Sequence, residues 1–230
     1  MTLVLAHQGA SAVRLGNTIE AFVEARRLGA DGVELDARRT ADGAVVVHHD
    51  PVLADGRAVA GVACTELPSW VPHLDAALEA CEDMVVNIEV KDLPSEPGFD
   101  PSEPTARAVA ALVGERRAHQ RTVVSSFAMA AIDAVRSADP GVATAWLTLP
   151  AYDQRQALAA ASDGGHTALH PHHHGVTPEL VTAVHDVGLV VTAWTVDEPE
   201  RIRWLADAGV DAVITTVPDL ARAALSEGGR

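Results

Sequence analysis

The chain lacks any hydrophobic run long enough for a membrane helix. None of its apolar stretches approaches the ~20 residues that a span requires. Residues 2–6 (TLVLA) are too short for a signal-peptide core, and no Lys or Arg precedes them; the expected location is the cytoplasm. Cysteine is scarce. Cys64 and Cys81 have no metal-ligand spacing and read as two reduced, partly buried thiols rather than a disulfide framework. Positive charge is also in short supply: 17 Lys and Arg against 32 Asp and Glu give a formal net charge of −15. Such a chain repels nucleic-acid backbones. It admits an anionic small substrate only where a local cation, such as a metal ion, offsets the field. There is no internal repeat, and no stretch reads as a domain linker.

What is present is an ordinary globular composition, 48% hydrophobic and 21% charged over 230 residues, enough for one sizeable core. Short Val/Ile/Leu runs alternate with Ala-rich helical stretches. The strand candidates are 3–7, 32–36, 44–49, 84–91, 122–127, 143–149, 167–170, 189–194 and 212–216. They read as strands buried on both faces, as in a parallel sheet covered by helices. Helices are predicted over 18–29, with Asn17 or Thr18 as cap, and over 74–81, 104–118, 130–138, 179–188, 199–209 and 219–227. Nine strands are one too many for an eight-stranded barrel. Only ARRTADG separates the second run from the third, too short for a parallel crossover, and TADG is a turn sequence. Residues 34–49 are therefore expected to form a β-hairpin. The remaining count gives eight βα units: a TIM (β/α)8 barrel forming one domain over 1–230, with a small insertion at roughly 50–70 and a Pro-rich loop over 92–104. A doubly wound sheet competes, but it wants a Gly-rich phosphate loop after the first strand, and HQGAS is not one.

In a barrel, polar residues at the C-terminal strand ends are the functional candidates. His7 ends the first strand. Glu34 and Asp36 end the second, two residues apart and so on one face, as do Glu89 and Lys91 later; Trp194 ends the penultimate strand. In the hairpin, a four-residue TADG loop sets Glu34 opposite His49, and a two-residue DG loop sets Asp36 there; in either, His48 points to the other face. Oxygen-only ligands of this kind suit a hard divalent ion, Mg2+ or Ca2+. Two histidines suit general acid and base roles, and Lys91 can neutralise a phosphate oxygen. The implied chemistry is metal-assisted attack on a phosphodiester. His170 ends a strand, from where it can reach the pocket or stay structural. His172 to His174 lie in a loop and are expected to be exposed imidazoles without a fixed ligand, and Trp146 reads as core more than pocket wall.

The order of HQG (7–9), GNTIEAF (16–22), GADGVELDARRTADGAVVVHHDP (29–51), IEVK (88–91), SSF (125–127), AWTVDEPE (193–200) and AGVDAVITTVPD (208–219) resembles the glycerophosphodiester phosphodiesterase family over nearly the whole length. The resemblance implies a TIM barrel hydrolysing glycerophosphodiesters to an alcohol and glycerol phosphate, a reaction of lipid metabolism. It implies His7 and His49 as the acid–base pair, Glu34, Asp36 and Glu89 as ligands of Ca2+ or Mg2+, Lys91 on the phosphate, and Phe127 and Trp194 lining the pocket. The chain departs from the family pattern at three places: Gln8 where an Arg is expected, Gly16 for a Glu and Thr216 for an Asp. Gln8 retains a substrate-facing position in this expectation but cannot offset developing charge. These losses make a relative that binds phosphorylated ligands without efficient turnover the alternative reading. If the absent Arg and Glu form an ion pair in relatives, losing both avoids an unpaired buried charge.

Overall fold

The computed structural model describes residues 1–227. Nine strands lie in one sheet: β1 (Leu3–His7), β2 (Gly32–Arg39), β3 (Val45–Val47), β4 (Val85–Val90), β5 (Thr122–Ser126), β6 (Ala143–Thr148), β7 (Ala168–Pro171), β8 (Val190–Ala193) and β9 (Ala212–Thr215). All but β3 run parallel, and β1 pairs with both β2 and β9, so eight strands close into a barrel. This is the expected TIM barrel. The strands are apolar on both faces because each is covered outside by helices and inside by its neighbours.

The helices are α1 (Ile19–Arg27), α2 (Leu74–Ala80), α3 (Pro104–Glu115), α4 (Met129–Ala138), α5 (Gln154–Asp163), α6 (Pro178–Asp186), α7 (Pro199–Asp207) and α8 (Pro218–Glu227). Thr18, not Asn17, caps α1: its hydroxyl accepts the Ala21 N–H. Helix α5 has no counterpart in the sequence reading. Its signals are Asp153, which accepts from the Arg155 and Gln156 amides, and a narrow buried stripe of Ala157, Leu158 and Ala161. The main core lies between barrel and helices. Phe22, Leu35, Ile88 and Leu169 are among its fully buried members, each stabilising by about 1.5–3 kcal/mol. The barrel interior is small, with Leu5, Ala212 and Ile214 under Trp194. It tolerates no Cβ at Gly32, which would stand 2.4 Å from the Val85 carbonyl oxygen and 2.6 Å from Leu5.

The hairpin forms, but in neither expected register. Ala37 pairs with Val47 and Arg39 with Val45, which leaves the five residues 40–44 in the loop. The loop is set locally: the Thr40 hydroxyl donates to Asp42 at 2.6 Å, the Thr40 amide to the Ala44 carbonyl, and Gly43 takes φ +88. Extending that register puts His48, not His49, level with Asp36, and the His48 amide does donate to the Asp36 carbonyl at 2.9 Å. The strand ends at Val47, and the bend after it, rather than ladder alternation, delivers His49 to the cleft. His48 packs on Trp70, ring centroids 5.7 Å apart.

The insertion has its own small core of Leu53, Val59, Val62 and Val71 against Val46. Arg38 ties this side together. Its guanidinium donates to the His49 carbonyl (2.8 and 2.7 Å) and bidentately to Glu96 (2.9 and 3.0 Å) in the loop after β4. Both cysteines are free thiols. Among the described residues no helix is long and apolar enough to cross a membrane.

Candidate active site

Parallel register sets the site. His7 pairs beside Glu34, Glu34 beside Asn87, and Asp36 beside Glu89, all at the C-terminal end of the barrel. Glu34, Asp36 and Glu89 are 3%, 1% and 8% exposed, and each offers a carboxylate oxygen within 4.8 Å of the others. One cation faces them. The Lys91 ammonium, from the only lysine in the chain, lies 2.6 Å from Glu89 Oε1 and 3.2 Å from Asp36 Oδ1.

The electrostatics show a cluster short of positive charge. Burial, then the charges of Asp36 and Glu89, push the Glu34 carboxyl well above the usual carboxylate range. Burial raises Glu89 to about 7 in spite of Lys91. Burial also works against Asp36, but Lys91, the Asn17 amide and His49 together outweigh it and hold its carboxyl low. Lys91 is desolvated, yet Glu89 and Asp36 keep it firmly charged. One oxygen of Glu34, Oε1, is buried without a hydrogen-bond partner. An orphaned carboxylate oxygen in an oxygen-only donor set fits a hard divalent cation.

The rest of Asp36 is used to hold it still. Its Oδ2 accepts from Asn17 Nδ2 (2.7 Å) and Gln8 Nε2 (2.9 Å), and its own amide donates to Asn17 Oδ1 (3.2 Å). Gln8 and Asn17 both adopt left-handed backbone, φ +54 and +59, which turns the segment after β1 inward. The Gln8 amide N–H also donates to Glu34 Oε2 at 3.0 Å. Gln8 therefore turns onto a carboxylate and is not among the cleft-lining residues, unlike the substrate-facing position expected from sequence. Its neighbour in space is Gly16, where a Cβ would sit 2.6 Å from Gln8 Oε1.

The cleft, about 140 Å³, is lined by His7, Glu34, His49, Asn87, Glu89 and Lys91 on its polar side and by Phe127, Trp194, Leu147 and Ile214 on the other. Phe127 and Trp194 meet edge to face at 5.4 Å, and the Trp194 indole N–H is fixed on the His170 carbonyl at 2.7 Å. His7 Nε2 lies 3.9 Å from Glu34 Oε2. Burial, partly offset by Asp36, lowers the His7 pKa and keeps the ring neutral. The more exposed His49 ring is held by Asp50, Nδ1 to Oδ1 2.8 Å.

All the residues expected from sequence are thus gathered at one mouth except Gln8 and Asp36, which lie just behind it. Three supporting groups were not singled out: Asn17, beyond its capping role, Asp50, and Asp197. Asp197 accepts from the Thr215 and Thr216 hydroxyls (2.9 and 2.8 Å) and from the Thr216 amide (2.8 Å), and its charge acts on His7. Thr216, where the family pattern has Asp, fixes this carboxylate.

His170 is structural. It is 2% exposed, not among the cleft-lining residues, and burial drives its pKa down to about 3. Trp146 is half-buried against the core and donates its indole N–H to the Phe127 carbonyl at 3.1 Å. The run after His170 departs from expectation: the 3₁₀ turn His173–Gly175 curls the backbone, so the three imidazoles converge and His173 is buried.

Comparison with known proteins agrees with this architecture. A glycerophosphodiester phosphodiesterase from Caldanaerobacter subterraneus subsp. tengcongensis is 30% identical over 99% of this chain and 99% of its own. The crystal structure of a glycerophosphodiester phosphodiesterase from Thermotoga maritima superposes with TM-score 0.81 at 26% identity, covering 97% of this chain and 98% of that one. An Oleispira antarctica phosphodiesterase, solved in complex with its product sn-glycerol-3-phosphate, shares the fold at TM-score 0.85 and 23% identity over 98% of this chain and 97% of its own. Residues 7–220 match the model of the glycerophosphoryl diester phosphodiesterase family, and the chain belongs to that family.

Proposed function

We propose that the cleft hydrolyses glycerophosphodiesters to an alcohol and glycerol phosphate, with Glu34, Asp36 and Glu89 holding a divalent cation, Ca2+ or Mg2+. The observation that carries this reading is the convergence of two imidazoles, the buried carboxylates of Glu34 and Glu89 and one lysine on a single cleft, with Asp36 clustered just behind them, in a member of this family. Bound there, such a cation supplies positive charge against the phosphate oxygens. The chain's own residues do the rest. Lys91, held charged by Glu89 and Asp36, meets a phosphate oxygen. His7 and His49 face the cleft from different structural units, so one takes the proton of the attacking hydroxyl while the other protonates the leaving alcohol oxygen. Asp50 orients the His49 ring. Phe127 and Trp194 give the glycerol or alcohol moiety an apolar wall and exclude water from that side.

The test is release of glycerol phosphate from glycerophosphocholine and glycerophosphoethanolamine, with Ca2+, with Mg2+ and with chelator, beside a His7→Ala control. Metal-dependent release that vanishes in the control is expected. Folded, metal-loaded protein that binds these diesters without turnover would establish instead the ligand-binding alternative, which the inward turn of Gln8 favours.

A further inference from the structure

We propose that His172, His173 and His174 form a second metal site, built against Trp194 and suited to a borderline transition ion such as Zn2+ rather than to the hard cation of the carboxylate cluster. In an extended chain three consecutive side chains diverge. Here the 3₁₀ turn brings them together. The ring centroids are 4.1, 4.6 and 5.0 Å apart, and one nitrogen from each ring lies within 4.8 Å of the others. Tetrahedral coordination by imidazole at ~2.0–2.1 Å needs those nitrogens about 3.4 Å apart, so binding draws the three rings closer together.

Two further observations point to a ligand. His173 is 8% exposed, and its Nδ1 is buried with no hydrogen-bond partner. A buried ring nitrogen left unmade is costly, and a metal bond is one way to satisfy it. The turn is also held in place from below: the His173 amide donates to the Trp194 carbonyl at 2.8 Å, and Arg201 donates to the His173 carbonyl. Glu198 is near enough to act on the charge of His173, and the chain as a whole is acidic. The donor set is all nitrogen, where the other cluster is all oxygen, so the two sites select different ions. Both touch Trp194. The His172 ring meets it edge to face at 5.1 Å, and the indole lines the catalytic cleft.

The experiment uses the full chain without a polyhistidine tag, stripped with chelator and supplied with excess Mg2+. Zn2+ is titrated against a chromophoric indicator, and Trp fluorescence is followed with Cu2+ as a quenching probe. One equivalent of Zn2+ is expected to bind and to persist in Glu34→Gln. His174→Ala and His172→Gln, at sites that are not fully buried, should each weaken it by roughly 10- to 100-fold, at least the effect of losing a group that only supports a ligand. Zn2+ affinity unchanged in both histidine variants, Zn2+ binding lost in Glu34→Gln, or no stoichiometric binding at all would overturn the proposal.

Discussion

Gly16 and Gln8 are predicted to be energetically coupled, and the sign of a single substitution should depend on the other residue. A methyl group at position 16 would meet Gln8 Oε1 at 2.6 Å and Gln8 Cβ at 3.0 Å, with Ser11 Cβ at an ordinary 3.4 Å. Gln8 is the flexible partner, so it must give way, and in doing so it releases Asp36 Oδ2. A hydrogen bond to a charged acceptor is worth about 1.5–3 kcal/mol. Against this stands a gain of about 0.4–1 kcal/mol from the reduced freedom of the unfolded chain when Gly becomes Ala at a compatible backbone. Gly16→Ala should therefore destabilise the native background by about 0.5–2.6 kcal/mol, or ~1–10 °C in Tm for a chain of this size. In a Gln8→Gly background the bond and both close contacts with residue 8 are gone, and the same substitution should be neutral or slightly stabilising. Urea unfolding of the four proteins, all in chelator, measures the cycle. If Gly16→Ala has the same effect in both backgrounds within about 0.5 kcal/mol, the two sites are independent and the reasoning fails.

The same contact predicts that Gln8→Arg and Gly16→Glu, each harmful alone, rescue one another when combined; additive losses in Tm and in phosphate affinity would show that the two positions do not form an ion pair. Lys91→Met removes the one cation that, among the described residues, pairs with this carboxylate cluster. It should cost about 3–5 kcal/mol in chelator and regain part of that with Ca2+ or Mg2+, read as a Tm difference; a metal-independent Tm would refute the charge deficit. His170 has its pKa lowered to about 3 by burial. The unfolded chain therefore binds a proton near pH 6.5 that the folded chain refuses, and stability should fall from about pH 6.5 toward 3 by up to ~1.4 kcal/mol per pH unit from this residue. A His170→Gln variant should show a correspondingly shallower acid limb in urea unfolding, and an unchanged limb would contradict the assignment. Arg38→Met cuts the tie between the His49 carbonyl and Glu96, and should lower kcat more than it raises KM; an effect on KM alone would argue against a role in placing His49.

The barrel was legible because strands covered on both faces have to be apolar, and β1, β4 and β5 read as such runs with turn residues between them. The carboxylates were legible because Glu34 and Asp36, like Glu89 and Lys91, lie two apart at strand ends, and register alone brings them together. Helix α5 was not, because its buried stripe is mostly alanine and its clearest mark, Asp153, is a single cap. The hairpin register was not, because a hydrogen bond between Thr40 and Asp42 decides the loop length, and no pattern of hydrophobic residues records it. Asp50 and Asp197 act through contacts that exist only in the folded chain. Burial of His173 follows from a short turn, where the sequence shows merely three adjacent polar residues.

The two catalytic candidates ride on parts of unlike mechanical character. His7 stands on β1, clamped by β2 and β9 in the closed barrel. His49 follows a three-residue strand that has a ladder with β2 on one side and only a single bridge, from Val46 to His73, on the other, and it leans on Arg38. A ladder this short, at the end of the sheet and outside the closed barrel, makes such a segment the first to open. In mild denaturant, amide exchange around Val45–Val47 should quicken while β1 stays protected, and activity should vanish while the barrel's circular dichroism is intact. The enzyme's working limit is then set by a sub-global opening near the hairpin, and hardening that segment, not the core, would extend it.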